Sequence, residues 1–563
     1  MVAMRVPDQK RTRRRLALAL GPAAALSACS LPSFGFGPGG PPEPPLAEKQ
    51  ILRLNVGSDP ETLDPAAVAF TNELAVVMRV YANLLRLDDK GVLVPDVADS
   101  LPIVSGDGRT LTFTLRAGLK YSDGQPLAAR DFVYSWRRHL DPRTAGEYAF
   151  LGHALEGGAA LNASTDRDPA GLEALRSALG VRATDDRTLE FRLTGPAPWF
   201  QSALATWCGV PVREYSVAQA GARWTEPATY TGNGPYILRE WERQNRMVFE
   251  ANPYYHFGPP VVKTIEVSTI PEPSVALAMY RNGELDVVGL HGEELPAVLA
   301  DPQLKQQLQQ FPGPCTTYLG FNTTKPPFDR PGVRRAFSAA LDRETYVTET
   351  LGGLGAPAGQ LVPPRLSGHF PDLRTQRKDQ AAAPKHLTDA GYANPASLPP
   401  VRLVYSSGAR SRARVEALTE QLRRGLGVQV VIEPAESRTL AGLMRSIEST
   451  PQLFVLGWCQ DYPDPQSWYS AFLHSRSPTA TTGWKHAEFD RLIETADTER
   501  DPKRRSDAYK RAAQLAIDEA PVAFLYHGVI ARLVRPWVAS LGENPLEHFE
   551  GQASLQRLRI LKH

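Results

Sequence analysis

Residues 457–462 read Gly-Trp-Cys-Gln-Asp-Tyr, and the Pro463-Asp464-Pro465 that follows is typical of a turn. Before this stretch, VQVVI at residues 428–432 predicts a strand. After it, an apolar stripe at i, i+3, i+4 and i+7 predicts a helix. The stripe consists of Phe489, Leu492, Ile493 and Ala496. Strands thus alternate with helices along the chain, beginning with the predicted strand ILRLNV at residues 51–56. This alternation predicts an α/β fold in which helices cover mixed sheets.

The composition is that of a soluble globular protein of several domains. The chain has 563 residues, of which 42% are hydrophobic and 22% charged. At roughly 150 residues per domain this length predicts three or four domains. Lysine and arginine total 63 against 61 aspartate and glutamate, so no overall charge favours nucleic acid as a partner. Six of the basic residues fall in residues 1–28, and the rest of the chain has a net charge of about −3.

The first 48 residues predict export and a membrane tether. A basic run ending at Arg15 precedes an apolar run at residues 16–26, which is too short to span a bilayer and indicates a signal peptide over residues 1–28. Leu26-Ser27-Ala28-Cys29 resembles the lipobox of bacterial lipoproteins, which makes Cys29 the lipid attachment site. A plain signal peptide with an incidental cysteine is the alternative. Residues 29–48, rich in proline and glycine, predict a linker that reaches about 25 Å as a coil. We therefore expect a periplasmic protein anchored by lipid to the inner or the outer membrane, after export by the Sec or the twin-arginine route.

Sequence signatures of enzymes and metal sites are missing. The chain has no G-x-S-x-G, no H-E-x-x-H and no phosphate-binding loop, and its four cysteines form no C-x-x-C pair. Gly232-Asn233-Gly234 begins a dinucleotide-like pattern, but Ile237 stands where the third glycine would be. We expect no catalytic residues, no metal site and no cofactor. An enzyme acting on peptides or on the cell wall is the weakest of the alternatives.

Seven stretches, in the same order along about 500 residues, carry a resemblance to a known family. They are residues 63–65, 121–136, 231–241, 282–286, 325–343, 457–462 and 531–537. Together they resemble the oligopeptide-binding subunits of bacterial peptide ABC importers, which are the extracellular solute-binding proteins of family 5.

The resemblance implies a periplasmic-binding-protein-like fold of type II, with two lobes that enclose the ligand and an extra α+β domain, three domains in all. Lobe I would comprise residues 49–81, 208–314 and 529–563. The extra domain would be residues 82–207, and lobe II residues 315–528. Because lobe I is built from three chain segments, no break in composition marks these boundaries.

The resemblance also implies the binding residues. A receptor for many peptides can grip only the groups that all peptides share, which are the backbone and the charged ends. Asp461 matches the family aspartate that binds the ligand ammonium; taken alone, it would be a solvated turn residue. Gly457, Trp458 and Cys459 would line the same pocket, with Thr71 as a further peptide contact. Tyr148 matches a tyrosine at the amino end of the ligand; otherwise it is a half-buried aromatic.

Cysteine pairing and ligand specificity also follow from the resemblance. Cys315 and Cys459 fall where family members carry a disulfide, which an oxidising compartment permits. This leaves Cys208 as a small buried residue. Basic groups that hold the peptide carboxylate in well-known members are replaced here by Val455, Leu351 and Ser411, although Arg410 and Arg412 flank the last and are possible substitutes.

Two further departures are Ser437 in place of a tryptophan and Ala69 in place of an acidic residue. Recognition of the amino end is therefore expected to be kept and recognition of the carboxyl end to be altered. The ligand would then be a longer peptide or a modified one, such as a cell-wall fragment.

These observations predict a monomeric, lipid-anchored receptor that closes on extended oligopeptides and delivers them to an inner-membrane ABC permease with its ATPase subunits. The alternatives are an exported chaperone-like or structural lipoprotein without a transport role, and a receptor for modified cell-wall peptides. Within the receptor hypothesis a metal chelate, haem or a sugar remains open as ligand, because a fold does not fix a function.

Overall fold

A computed structural model describes residues 45–88, 90–165, 168–542 and 552–563. The predicted signal peptide, the lipid attachment site Cys29 and the tether as far as residue 44 lie outside the described residues. Among the described helices, none combines the length and the apolar composition needed to cross a membrane.

The elements are numbered along the described chain. The strands are β1 (Ile51–Val56), β2 (Leu85–Leu87), β3 (Leu93–Pro95), β4 (Ile103–Val104), β5 (Thr110–Thr114), β6 (Val181–Ala183), β7 (Thr188–Arg192), β8 (Tyr236–Glu242), β9 (Arg246–Ala251), β10 (Thr264–Thr269), β11 (Val287–Gly289), β12 (Leu308–Phe321), β13 (Gly355–Pro357), β14 (Val401–Ser406), β15 (Val430–Ala435), β16 (Leu453–Cys459), β17 (Val522–Val534), β18 (Val538–Ala539) and β19 (Arg559–Ile560). The helices are α1 (Thr71–Val80), α2 (Ala129–His139), α3 (Gly158–Asn162), α4 (Pro169–Ser177), α5 (Phe200–Ala203), α6 (Glu214–Ala220), α7 (Pro273–Arg281), α8 (Leu295–Ala300), α9 (Pro302–Gln307), α10 (Pro331–Ala340), α11 (Arg343–Thr345), α12 (Ala382–Asp389), α13 (Ala409–Leu426), α14 (Ser437–Leu443), α15 (Gln466–Leu473), α16 (Ala487–Thr498), α17 (Pro502–Glu519) and α18 (Gln552–Arg557).

The first sheet has four strands in the order β1-β10-β9-β8, with β1 parallel to β10. The strand predicted over residues 51–56 is confirmed, and its alternate residues Leu52, Leu54 and Val56 are buried. Such alternation is expected of a strand with one face on a core. All four strands of this sheet come from residues 51–269.

The second sheet contains the longest strands and runs in the order β11-β17-β12-β16-β14-β15, with β13 also paired to β17. Its central pair is β12, of 14 residues, antiparallel to β17, of 13. The register of this pair shifts between Pro312 and Thr316. The lobe boundaries expected at residues 314/315 and 528/529 fall inside these two strands. The division into lobes stays a prediction.

Core residues cover both faces of the second sheet. Leu319 and Leu403 belong to an apolar cluster on one face, whereas Tyr318 and Phe454 belong to a cluster on the other. The helix predicted from the stripe at 489–496 is confirmed as α16, and its four stripe residues are buried. The strand predicted at 428–432 is β15, which begins two residues later, at Val430.

The third sheet, of four strands in the order β4-β5-β7-β6, lies within residues 82–207. Helix α2 packs on it through Trp136, whose ring centroid lies 6.0 Å from that of Phe191 and 5.8 Å from that of Phe200. One continuous apolar cluster joins this region to the first sheet.

Candidate functional site

The deciding stretch lies at the end of strand β16. On one side β16 pairs with β12 along its whole length, from Leu453 to Cys459. On the other side its ladder with β14 ends at Phe454. Within the described chain, therefore, no strand pairs with the second edge of residues 455–459. Gly457 is exposed in the middle of this edge. An open strand edge is the structure to which an extended peptide adds as a further strand.

A disulfide holds the end of this strand. Cys315 of β12 and Cys459 of β16 lie directly opposite each other in the ladder and form the disulfide that the resemblance implied. Their α-carbons are 4.0 Å apart, and 144 residues separate them in the chain. The covalent link fixes the position at which the chain leaves the sheet towards Asp461.

Asp461 is a half-buried carboxylate without a counter-charge. Its backbone N–H donates to Oγ of Ser467 at 3.1 Å, and the Tyr148 hydroxyl donates to its Oδ1 at 3.3 Å. Burial raises the pKa of Asp461 to about 7, and the Tyr148 hydrogen bond opposes this rise. No arginine, lysine or histidine of the described residues forms an ion pair with it. A carboxylate in such surroundings favours either a proton or a cationic ligand.

Tyr148 reaches Asp461 from a segment 313 residues away along the chain. Its ring packs edge-on against Trp207, with centroids 4.9 Å apart. Burial raises the pKa of Tyr148, so the hydroxyl stays protonated and donates a hydrogen bond to the carboxylate. Beside this contact Tyr462 stacks on Trp199 at a centroid distance of 6.1 Å. Aromatic side chains therefore wall the carboxylate on the side of residues 82–207.

Trp458, which follows Gly457 at the open strand edge, is held by two contacts. Its indole N–H donates to the carbonyl of Ser467 at 2.8 Å, and its ring stacks on Phe472 at 5.2 Å. Trp458 is half-buried. Trp458 thus fixes Ser467, whose hydroxyl oxygen accepts the backbone N–H of Asp461.

Thr71, the remaining expected contact, is the exposed first residue of helix α1. In the described part of the chain no hydrogen bond joins it to Asp461 or to Tyr148. The structure therefore brings Tyr148 and Asp461 together and leaves Thr71 apart from them.

The buried carboxylate of Glu73 organises the loop before α1, and sequence reasoning missed it. Glu73 is 2% exposed. Its two oxygens accept hydrogen bonds from the backbone N–H groups of Glu61, Thr62, Ala69 and Phe70, at 2.9 to 3.3 Å. An acid at the third position of a helix is the sequence signal that was available. The loop so fixed presents Phe70, whose side chain is 54% exposed although it is large and apolar.

Comparison with known proteins decides the family. Residues 92–479 match the sequence profile of the bacterial extracellular solute-binding proteins, family 5 Middle. The chain belongs to this family. The fold class expected from the sequence, an α/β two-lobed binding protein of type II, is thereby confirmed. Members of this family are transport receptors rather than enzymes.

Two curated relatives and one structurally characterised relative span nearly the whole chain. The probable deoxycholate-binding periplasmic protein YgiS of Escherichia coli is 32% identical over 93% of this chain and 96% of its own. The periplasmic oligopeptide-binding protein OppA of Salmonella typhimurium is also 32% identical, over 92% of this chain and 94% of its own.

The murein tripeptide-binding protein MppA of Escherichia coli has been solved more than once. One structure is 28% identical, with a TM-score of 0.79 over 92% of this chain and 100% of that one. Its unliganded open form, over 93% and 99% of the two chains, gives 0.73. The conformation of the present chain is therefore nearer to the first of these structures than to the open form.

The residues expected to replace the carboxylate-binding groups offer no free charge. Leu351 is buried and Val455 is half-buried, and both are apolar. Arg410 lies 3.8 Å from a carboxylate oxygen of Glu293. Arg412 donates to Glu416 at 2.8 Å. Both arginines considered as substitutes thus already have carboxylate partners in this conformation.

A second group of buried charges fixes the turn after Asp461, and sequence reasoning missed it as well. Arg505 of α17 donates to both oxygens of Asp464, at 2.7 and 2.8 Å. Nearby, Asp497 accepts hydrogen bonds from Tyr509 and from Ser470, and burial raises its pKa to about 7. Only Asp464, between two prolines, was distinctive in the sequence. These contacts make the 461–467 turn a rigid support for the open strand edge.

Cys208 is buried and outside the disulfide, as expected, and burial raises the pKa of its thiol. Among the described residues no three carboxylate, imidazole or thiol groups are close enough to hold a metal ion. In the part of the chain that the structure describes, the site therefore offers a carboxylate without an ion pair, beside a strand edge with which no other strand pairs.

Proposed function

We propose that this chain is an extracytoplasmic, lipid-anchored receptor that closes on extended peptides with a free amino terminus and delivers them to an ABC permease. The observation that carries the proposal is Asp461, a half-buried carboxylate that forms no ion pair within the described chain. A peptide ammonium supplies the missing charge, and a charge-assisted hydrogen bond in a closed cleft is strong. Tyr148 holds the carboxylate in place for it.

The open edge of residues 455–459 supports binding of the peptide backbone. An extended peptide that begins at Asp461 and runs along this edge exchanges main-chain hydrogen bonds with β16, whatever its side chains. In this proposal Gly457 lets the ligand approach the strand closely, because it carries no side chain there. Trp458 and Cys459 line the start of the same track.

The carboxyl end of the ligand is left without a dedicated cation. Val455 and Leu351 are apolar, and Arg410 and Arg412 are engaged with glutamates. We infer a preference for peptides whose carboxyl end lies beyond the site, or for modified peptides. The relatives OppA and MppA are named for oligopeptides and for a murein peptide, and both ligand classes fit this inference.

Mass spectrometry of the small molecules that the purified protein releases on denaturation tests the proposal. The expected result is a set of peptides with unblocked amino termini. Release of a non-peptide without an amine contradicts the proposal, and release of nothing, together with prevention of aggregation of client proteins, supports the chaperone-like alternative instead.

A second candidate is a receptor for an amphipathic steroid acid. It is favoured by the exposed Phe70 and the apolar Val455, together with the relative YgiS, whose name gives deoxycholate as its probable ligand. It is opposed by Asp461, because an uncompensated buried carboxylate repels a ligand carboxylate. Calorimetric titration with deoxycholate separates the two: we expect no binding heat, and binding at micromolar concentration would favour the second candidate.

A further inference from the structure

Three ion pairs join residues 315–528 to the remainder of the described chain, and all three have the same polarity. In each, the arginine belongs to 315–528 and the glutamate does not. The pairs are Arg438 with Glu61 at 2.8 Å, Arg445 with Glu147 at 3.9 Å, and Arg410 with Glu293 at 3.8 Å. The glutamates come from three separate loops. At three places, therefore, a positive charge of residues 315–528 attracts a negative charge of the remaining described chain. We call the boundary between these two parts the junction.

A fourth arginine of residues 315–528 forms a hydrogen bond, rather than an ion pair, with the remainder of the described chain. Nη1 of Arg500, at the end of α16, donates to the carbonyl oxygen of Gly106 at 2.6 Å. Gly106 lies in the turn between β4 and β5, in the region expected to form the extra domain. The four contacts thus link residues 315–528 both to the expected lobe I and to the expected extra domain.

The charges of the two parts have opposite signs as well. Residues 315–528 contain 27 lysines and arginines against 23 acidic residues, whereas residues 45–314 and 529–563 together contain 30 against 36. Salt screens such net charges beyond about 8 Å at physiological ionic strength, so short-range pairs carry most of the attraction. The three ion pairs named above, which we call the rim pairs, are the places where these opposite charges meet.

We infer that Arg410, Arg438, Arg445 and Arg500 form a rim latch, an electrostatic device that favours the closed arrangement and makes closure depend on salt. The inference rests on the proposed function in one respect, that residues 315–528 move as a lobe. It also fits the better superposition on one MppA structure than on the unliganded open form of the same protein.

The rim latch contributes little free energy, because its ion pairs are exposed to solvent. Arg438 and Glu61 are 75% and 60% exposed in their side chains, and the other two pairs are also well exposed. Exposed pairs of this kind change an equilibrium constant by about 1.4-fold to fivefold each. Together they shift closure by on the order of tenfold, while the unpaired carboxylate of Asp461 opposes closure without a ligand. A contribution of this size biases the equilibrium and leaves the ligand able to shift it further towards closure.

Charge reversal in the ligand-free protein tests the latch. Spin labels at Gln303→Cys and Ala393→Cys, both exposed positions on opposite sides of the junction, report the closed fraction by pulsed electron resonance. Glu61→Arg and Arg438→Glu are each expected to lower the closing equilibrium constant by about twofold to tenfold, and the double reversal to restore it within about twofold. Raising NaCl from 50 to 500 mM is expected to lower it in the wild type and less in the single variants.

The matched control is Glu226→Arg. Glu226 also forms an exposed ion pair, with Arg243 at 2.6 Å, but both residues lie within 45–314. This variant is expected to leave closure unchanged. The charge reversals are also measured in an Asp461→Asn background. We expect a larger closed fraction there, which makes a small change in closure easier to detect.

Closed fractions that are unaffected by either single reversal, or a double reversal that fails to restore closure, would overturn the latch. Because no ligand is used, that outcome leaves the proposed peptide binding intact. Conversely, a protein that binds no peptide but shows the charge-reversal pattern keeps the latch and loses the proposed function.

Discussion

Replacing Asp461 by asparagine is expected to favour closure of the ligand-free protein. The substitution keeps the shape of the side chain and its ability to accept the Tyr148 hydroxyl, but it removes the charge. In the closed arrangement the ionised carboxylate is half-buried without an ion pair to the described residues, whereas we expect opening to return it to water. The wild-type charge therefore acts against closure, and the asparagine variant lacks this opposition.

The magnitude follows from the pKa of Asp461, which burial raises from 3.8 to about 7. A rise of about three units corresponds to at most about 4 kcal/mol, and partial solvent access reduces this to about 2 kcal/mol, or about thirtyfold in the closing equilibrium. The sign is fixed by the protonation states. Below pH 4 the carboxyl group of Asp461 is protonated in both the open and the closed arrangement, so it does not oppose closure. The opposition to closure grows as the pH rises from 4 to 7 and is complete above pH 7.

The same pair of spin labels measures this effect at pH 4 and pH 8. At pH 8 we expect the closing equilibrium constant of the Asp461→Asn variant to exceed that of the wild type by about thirtyfold. At pH 4 the difference should shrink to about threefold or less. Asp497, whose pKa is also raised, is present in both proteins and cancels in the comparison. An equal closed fraction at pH 8, or a difference that does not depend on pH, would refute the reasoning.

Three further changes give equally definite expectations. Replacing Cys315 and Cys459 by alanine removes a link across 144 residues and should lower the free energy of unfolding by about 3 to 5 kcal/mol in urea denaturation; a loss under 1 kcal/mol contradicts this. Glu73→Gln leaves two backbone N–H groups short of an acceptor and should cost about 2 kcal/mol of stability in the same assay, with Glu48→Gln, exposed at the start of the described chain, as the neutral control. Tyr148→Phe removes the hydrogen bond to Asp461 and should weaken binding of a free-amine peptide about fivefold in calorimetry while leaving an acetylated peptide unaffected; equal loss for both peptides would place Tyr148 outside the amine pocket.

The fold was accessible from the sequence because its signals are local or carried by linear motifs. Alternate burial in β1 and the stripe of α16 follow directly from periodicity. The order of seven motifs located the family, and it also implied the Cys315–Cys459 pairing. The expected start of β15 was wrong by two residues, because valine and glutamine at 428 and 429 fit a strand as well as the short connection in which they lie.

The contacts that shape the site were less accessible, because they join distant parts of the chain. The position of Glu73, third in α1, signals a helix start, but it does not show that the carboxylate accepts hydrogen bonds from four backbone N–H groups of the preceding loop. Arg505 and Asp464 lie 41 residues apart and pair only once α17 packs beside the turn. The engagement of Arg410 by Glu293 likewise depends on the tertiary arrangement, so the sequence left it as a free cation.

Calorimetric titration with a matched pair of ligands tests the central claim, that Asp461 binds the amino terminus of a peptide. A pentapeptide library with free amino termini and the same library after acetylation are titrated into the wild-type protein and into Asp461→Asn at pH 7.5. We expect the wild type to bind the free-amine library about 30-fold to 1000-fold more tightly than the acetylated one, and the variant to lose this preference. Equal affinity of the wild type for both libraries, or an unchanged preference in the variant, would contradict the account.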